Sequence, residues 1–461
     1  MVKKVLMAAA VMCLLFPTFA FAAEPSATTL DMGLNTIWLM LAFILVFLMQ
    51  GGFILLETGS TRMKNAGHVA GKTIFTVGLG ALVFWALGYG LIYGPNSNAF
   101  IATGNFFFSP AYTATEGFPE GIDFLFQAAF ALISLTIAFG GFAERAKLSA
   151  YVIFTVLFLT LVYPVIAHWI WGGGWLTGHK QDFAGSTVVH LTGAMAALAA
   201  TILLKPRIGR FNKDGTPNEL QGHNQVFTAL GVLLLWVGWF GFNAGSTLGV
   251  GDGFLGYVGF TTMLATGAGA AAALFITWLA TGKADITTTL NGTLAGLVAI
   301  TASCAFVEPW AAVVIGLVAG LLVYGSMKMF EKLKIDDPIY ALSVHGTVGV
   351  WGTLANGIFA APELVAQTGV GEAGLIYTGS FSQLWVQFYG VVISGLFAFA
   401  VSFIILAIMK AVMGLRVTEE QEIIGLDLSE HGAYGYPEQM VSASNPANTA
   451  NALGKSSTAG I

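Results

Sequence analysis

Two histidines stand out by their spacing among the few residues of this chain able to do chemistry. Asp182-Phe-Ala-Gly-Ser-Thr-Val-Val-His190 and Asp337-Pro-Ile-Tyr-Ala-Leu-Ser-Val-His345 each place an imidazole eight positions after an aspartate in strongly apolar surroundings. A neutral imidazole carries one N–H donor and one bare nitrogen acceptor, so a facing pair can hydrogen-bond a small polar solute or share a proton. A charged group inside a bilayer is costly, so such a pair is expected to stay neutral overall. The remaining histidines, His68, His168, His179, His223 and His431, fall near the ends of apolar runs, in connections or in the tail. One buried histidine is more often a satisfied core hydrogen-bonder than a functional group. Two related ones at matching depth reverse that preference. No metal site is expected, because no carboxylate shares their depth and Cys304 lies near the end of a run. Nor is enzyme chemistry expected, since hydrolytic or metal catalysis would lack a second participant there. No cofactor is implied.

The frame that must hold these histidines is a lipid bilayer. Of 461 residues, 56% are hydrophobic and only 9% charged, against roughly a quarter charged in an ordinary soluble domain. The 58 glycines and 36 phenylalanines suit close-packed membrane helices, and no nucleic-acid partner is expected. Apolar runs long enough to span lie near 35–56, 72–93, 123–143, 148–169, 182–204, 223–243, 253–279, 289–305, 309–329, 340–360 and 383–410, which predicts eleven transmembrane helices. Basic residues fix their orientation, because short cytoplasmic connections collect Lys and Arg. With the N-terminus outside, Lys180 alone falls on the outer side, and every other Lys and Arg from Arg62 to Lys455 falls inside. The connections 94–122 and 361–382 carry neither residue and are expected to be periplasmic.

The two Asp-to-His segments open the fifth and tenth spans. Five spans separate them, an odd number, so they enter the bilayer from opposite faces. This is the pattern of an inverted-topology repeat, spans 1–5 against 6–10, with an eleventh helix added. Eight residues of helix rise roughly 12 Å, and half of the hydrocarbon core is about 15 Å, so the imidazoles should meet near the midplane. A weaker echo relates Glu57-Thr-Gly-Ser60 to Asn243-Ala-Gly-Ser246. At the N-terminus, Lys3 and Lys4, an apolar run and Ala20-Phe-Ala22 predict a cleaved signal peptide over 1–22, with the mature chain starting at Ala23. Cys13 would leave with it, so no intramolecular disulfide is expected.

Aromatic residues gather toward the outer side. Phe126 and Phe130 lie four apart on one helical face, Trp171 ends the fourth span, and Phe242 and Ser246 end the sixth. Aromatic faces attract a cation within about 6 Å. An interfacial belt or lipid-facing rings would also explain any one of them.

The segments Phe142-Ala-Glu-Arg145, Ala167-His-Trp-Ile-Trp171-Gly-Gly-Gly174, Asp182 to His190, Gly238-Trp-Phe-Gly-Phe-Asn-Ala-Gly-Ser246 and Val344-His345-Gly-Thr-Val-Gly349 resemble, in order, the motifs of the ammonium transporter (Amt/Mep/Rh) family. The resemblance covers roughly residues 35–436. It implies an outer recruitment site for ammonium or methylammonium at Phe126, Trp171 and Ser246. It also implies a gate of stacked Phe130 and Phe242, and a pore lined by His190 and His345. Asp182 would stabilise the outer site without touching the ion. Ammonium and potassium are alike in size and charge, so selection needs hydrogen-bond donation and a removable proton. A dry pore imposes the full desolvation penalty on an ion but lets ammonia pass.

The same resemblance implies a homotrimer in the bacterial inner membrane, with the transporter domain over 23–413. A cytoplasmic regulatory tail is expected over 414–440, where Gly425-Leu-Asp-Leu-Ser-Glu-His-Gly432 is similar to the family segment that binds a PII-class nitrogen-signalling protein. Residues 441–461 are small and polar, and are expected to be a disordered extension. A sensor with a vestigial pore is the competing reading, but sensors of this family append a signalling domain and the tail is too short for one.

Overall fold

A computed structural model of the chain describes residues 27–114 and 117–437. The expected signal peptide at 1–22, the start at Ala23 and the extension at 441–461 lie outside the described residues.

Among the described residues, nine helices are long and apolar enough to cross a membrane. They are α1 (Thr28–Ser60), α2 (Met63–Tyr93), α3 (Glu120–Phe142), α4 (Leu148–Ile170), α5 (Ser186–Leu204), α6 (Gln225–Thr247), α7 (Phe254–Thr281), α9 (Pro309–Lys332) and α11 (Ser382–Met413). The other two expected spans are also helical. The eighth is α8 (Ile286–Thr301), which is shorter, and the tenth is α10, a π-helical turn Leu342–Thr347 running into Val348–Phe359. The chain is an all-α multi-pass membrane protein.

The packing follows the repeat. In the first half α1 packs on α3, α2 on α4 and α3 on α5; in the second α6 packs on α8, α7 on α9 and α8 on α10. The halves are joined where α1 lies along α6. Close approach in the second half depends on small residues. At Gly269 of α7, an added Cβ would sit 2.5 Å from the Gly292 carbonyl and 2.9 Å from Gly296 Cα, so α7 meets α8 backbone to backbone. Helix starts are fixed by short polar side chains: Asn224 accepts from Phe227 N at 3.0 Å before α6, and Asp285 from Thr288 N at 2.6 Å before α8.

Hydropathy alone misplaces two charged residues. The first two expected spans end and begin at 56 and 72, which leaves Glu57 and Lys72 at their margins. Helix α1 continues to Ser60 and α2 starts at Met63, so both residues face each other inside the bundle. Their ion pair is 2.7 Å long and both are buried.

Outside the spans, an antiparallel pair β1 (Asn96–Ser97) and β2 (Ala102–Thr103) folds the long connection between α2 and α3. His168 at the end of α4 holds that connection down, with Nδ1 2.7 Å from the Ile92 carbonyl and Nε2 2.8 Å from that of Asn98. At the other end of the bundle, the tail returns as two short helices, Glu419–Ile424 and Leu426–His431.

Candidate functional site

Both histidines sit in π-helical turns. In α5 the turn is Ser186–Leu191, preceded by Gly185 at φ 109°, a left-handed conformation that suits glycine; in α10 it is Leu342–Thr347. The wide turn in each copy is formed at the residue that carries the imidazole, and π-turns recur at functional sites.

The two aspartates of the repeat are caps, not members of the helices. Asp182 Oδ2 accepts from the N–H groups of Thr187 and Val188, both at 3.0 Å. Asp337 accepts from Ala341 N at 3.0 Å and Leu342 N at 2.7 Å. Each carboxylate thus satisfies donors that a helix start leaves unpaired. Burial pushes the Asp337 carboxyl up to about 6, against the lowering effect of those two N–H groups. The rise of a regular helix from Asp to His, expected from the spacing, is therefore replaced by a cap, a bend and a π-turn.

From these turns the imidazoles meet as expected. Their rings stack at 5.2 Å and 17°, with the two Nδ1 atoms 3.2 Å apart, so one nitrogen donates and the other accepts. Both rings are buried. On one side His190 stacks on Trp239 at 5.1 Å and on Phe242 at 5.5 Å. Phe242 stacks on Phe130 at 4.1 Å, and Phe130 meets Phe126 at 4.7 Å and the edge of Trp171 at 6.0 Å. On the other side Phe53 of α1 lies 6.4 Å from His345. An unbroken column of rings therefore runs from Trp171 to Phe53.

Cavities lie at the two ends of α6, and the column lies between them. The outer one, about 710 Å³, is lined by Phe126, Phe130, Trp171, Asp182 and Ser246. The inner one, about 650 Å³, is lined by Gln225, Thr228, Asp337, Tyr340 and neighbouring polar residues. Trp239 and Phe242 belong to the stretch of α6 between the two. Phe126, Phe130 and Phe242 are buried, whereas Trp171 and Ser246 are partly exposed to the cavity. Trp171 is fixed by its indole N–H, which donates to the Asp182 carbonyl at 2.8 Å. Asp182 thus holds Trp171 through its backbone and α5 through its carboxylate. Ser246 Oγ donates to the Phe242 carbonyl at 2.8 Å, which leaves its oxygen free to accept.

The residues expected at the outer site, the gate and the pore thus lie in the column or on the outer cavity, and Asp337 lines the inner one. Trp239, Phe53 and Asp123 were not singled out, and Lys180 entered only as the lone basic residue of the outer side. Trp239 could have been found, because it stands three before Phe242 on one face of α6. Asp123 stands three before Phe126 and Lys180 two before Asp182, so spacing was available for both, whereas Phe53 reaches the column from α1, and the other motifs carry no sign of it.

A multi-pass helical membrane protein with a ring-lined column between two cavities has the form of a channel for a small solute. Residues 37–436 match the model of the Ammonium Transporter Family, and the chain belongs to that family. It is 39% identical over 451 residues to ammonium transporter Amt2 of Archaeoglobus fulgidus, covering 94% of this chain and 95% of the relative. It is 35% identical over 413 residues to an ammonium transporter of Bacillus subtilis, covering 88% and 99% respectively. Among solved structures it is similar to a Sensor Amt Protein (TM-score 0.80, 35% identity, 87% of this chain and 99% of that one). It is also similar to Mep2 of Candida albicans (TM-score 0.78, 29% identity, 90% and 92%). The family is one of transporters and channels, not of enzymes.

Proposed function

We propose that this protein recruits ammonium or methylammonium from the periplasm at Phe126, Trp171 and Ser246, deprotonates it, and conducts ammonia past Phe130 and Phe242 along His190 and His345. The observation that carries the reading is the continuous ring column, which offers one hydrogen-bonding pair and, among the described residues, no charged member. A cation meets ring faces and the Ser246 oxygen in the outer cavity. Beyond the 4.1 Å stack of Phe130 on Phe242 it would have to shed its water without replacement. Ammonia needs only one donor and one acceptor, which the imidazole pair supplies. The proton returns outside or crosses separately.

The same reading makes the protein a homotrimer of the bacterial inner membrane. Its N-terminus is periplasmic after removal of 1–22, eleven spans form the domain over 23–413, and the cytoplasmic tail over 414–440 serves a PII-class protein. The test is current measured together with substrate flux in proteoliposomes under ammonium and methylammonium gradients. Trp171→Leu should raise maximal flux or weaken affinity in a stably assembled protein. Unchanged affinity and flux in that variant would remove Trp171 from the site and sink the recruitment reading.

A further inference from the structure

The carboxylate named above on the outer cavity, Asp182, is poorly placed to attract a cation. Its Oδ2 is engaged by two backbone N–H groups, and Lys180 Nζ lies 3.7 Å away, itself donating to Thr187 Oγ1 at 2.9 Å. Lys180 is buried and lines the same cavity. Asp182 and Lys180 together present almost no net charge to an arriving ion. In the outer cavity the cancelled pair leaves the attraction to ring faces and one hydroxyl, unless another carboxylate contributes.

Of the two other carboxylates that line the cavity, Asp252 is exposed and accepts from Phe254 N at 3.1 Å and Gln367 Nε2 at 2.9 Å, and Asp123 is the one set beside the rings. It lies in the first turn of α3, three residues before Phe126 and so on the same face, and it lines the cavity with Phe126, Trp171 and Ser246. It is partly buried and held in place: the Tyr89 hydroxyl donates to Oδ2 at 2.7 Å, and Gln127 Nε2 lies 3.4 Å from Oδ1. No basic side chain is paired with it among the described residues, while Glu120 sits one turn away on the same helix. A fixed carboxylate one helical turn above a cation-binding ring, with no counter-ion, is an electrostatic funnel for a monovalent cation.

We propose that Asp123 is the cation-attracting residue of the outer cavity, and that Lys180 opposes it by cancelling Asp182. This rests on the recruitment reading above and adds the source of its charge. A carboxylate at roughly 7 Å from a monovalent cation, with an effective dielectric constant of about 30, changes its affinity about tenfold.

The test uses the full-length protein in proteoliposomes, with methylammonium uptake measured over a range of ionic strength. Asp123→Asn keeps an oxygen that accepts the Tyr89 hydroxyl and removes only the charge. It should raise the apparent KM about tenfold with maximal flux little changed, and it should flatten the rise of KM with salt. Lys180→Met should move KM the other way, severalfold lower. A merely structural role for Asp123 would instead be rescued by asparagine and lost in Asp123→Ala, with parental salt dependence in the asparagine variant. That outcome overturns the inference, as does a Lys180→Met variant whose KM rises. Trp171→Leu separates the two layers. If it alters affinity while Asp123→Asn does not, recruitment stands and the role of Asp123 falls; if it alters nothing, the recruitment reading itself has failed.

Discussion

Replacing Asp427 with alanine should release the second half of the tail from the membrane domain. Its buried carboxylate accepts from Gly67 N at 3.1 Å, His68 N at 2.7 Å and Gly435 N at 2.9 Å. Gly67 and His68 open the regular part of α2, so the tail supplies the N-terminal cap that α2 lacks from its own sequence. The bonds from Gly67 and His68 cross to the membrane domain, whereas that from Gly435 stays within the tail; two bonds to a charged acceptor at about 1.5 kcal/mol each, the lower end of their range, give about 3 kcal/mol. That is roughly a hundredfold in the equilibrium between docked and free tail. Asp427 is the only group of this half that receives two backbone N–H groups of the membrane domain among the described residues; each remaining anchor is a single contact: Leu426 N donates to Asn65 Oδ1, Leu148 N donates to Glu430, and His68 meets His431 at 3.0 Å. The first half should stay, because Glu422 is held by Arg416 and by Ile208 N. Hydrogen exchange in detergent or nanodiscs reads this directly. Amides of residues 425–435 and of His68 should exchange about a hundredfold faster in Asp427→Ala, with 416–423 unchanged. Parental protection over 425–435 would refute the docking energetics.

Three further outcomes follow from the same geometry. His190→Asp or His345→Asp should retain flux but lose discrimination against potassium, because a carboxylate beside an imidazole hydrates the column and offers a counter-charge, while His190→Ala should lose most selective transport; potassium-dependent growth or current beside ammonium flux checks this, and Asp variants that exclude potassium as well as the parent would reduce the histidines to packing residues. At the inner face, burial alone would raise the Asp336 carboxyl, but the Arg207 guanidinium, bonded at 2.8 and 2.9 Å, and Arg145 outweigh it and hold the carboxyl well below the usual range. A depressed pKa stabilises the fold fully above the unfolded value of about 3.9 and loses that stabilisation only as pH falls through the folded value, so the deficit in Tm of Asp336→Asn should be constant from pH 7 to about 4 and shrink below it, and a deficit that fades between pH 7 and 5 would contradict the sign. Deleting 416–436 should abolish association with a PII-class protein and deleting 441–461 should leave it, as pull-down from nitrogen-shocked cells would show; the reverse pattern would move docking to the extension.

How much of this was legible in the sequence depended on whether the informative residues share one helix. The histidine pair was visible because an ionisable side chain inside an apolar run is rare, and because the aspartate offset repeats at 182–190 and 337–345. Phe126 and Phe130 were visible for a related reason, since a spacing of four puts both on one face. The π-turns were not. A wide turn leaves hydropathy and spacing unchanged, and the carboxylate cap that accompanies it in each copy precedes the helix. Glu57 and Lys72 were misplaced because hydropathy reports where lipid contact ends, whereas the helix continues until its backbone donors and acceptors find other partners.

The outer cavity and the docked tail share a further difficulty, which is one of connectivity. Asp123 starts α3, Trp171 ends α4, Lys180 and Asp182 precede α5, and Ser246 ends α6, so their meeting depends on how four helices pack. Local capping in the tail was readable, as the Thr418 and Gln421 capping box illustrates, because both partners lie within one turn. Capping of α2 by Asp427 and of α4 by Glu430 was not, since donor and acceptor are hundreds of residues apart. The charge balance of the site falls on the illegible side of that divide. In sequence, Asp182 is the acidic residue of a recognisable motif and Asp123 one more acid at a helix start. Folded, Lys180 lies close enough to offset the first, and no basic group is paired with the second among the described residues. The field an arriving cation meets is therefore set by packing, even where the rings that receive it are set by spacing.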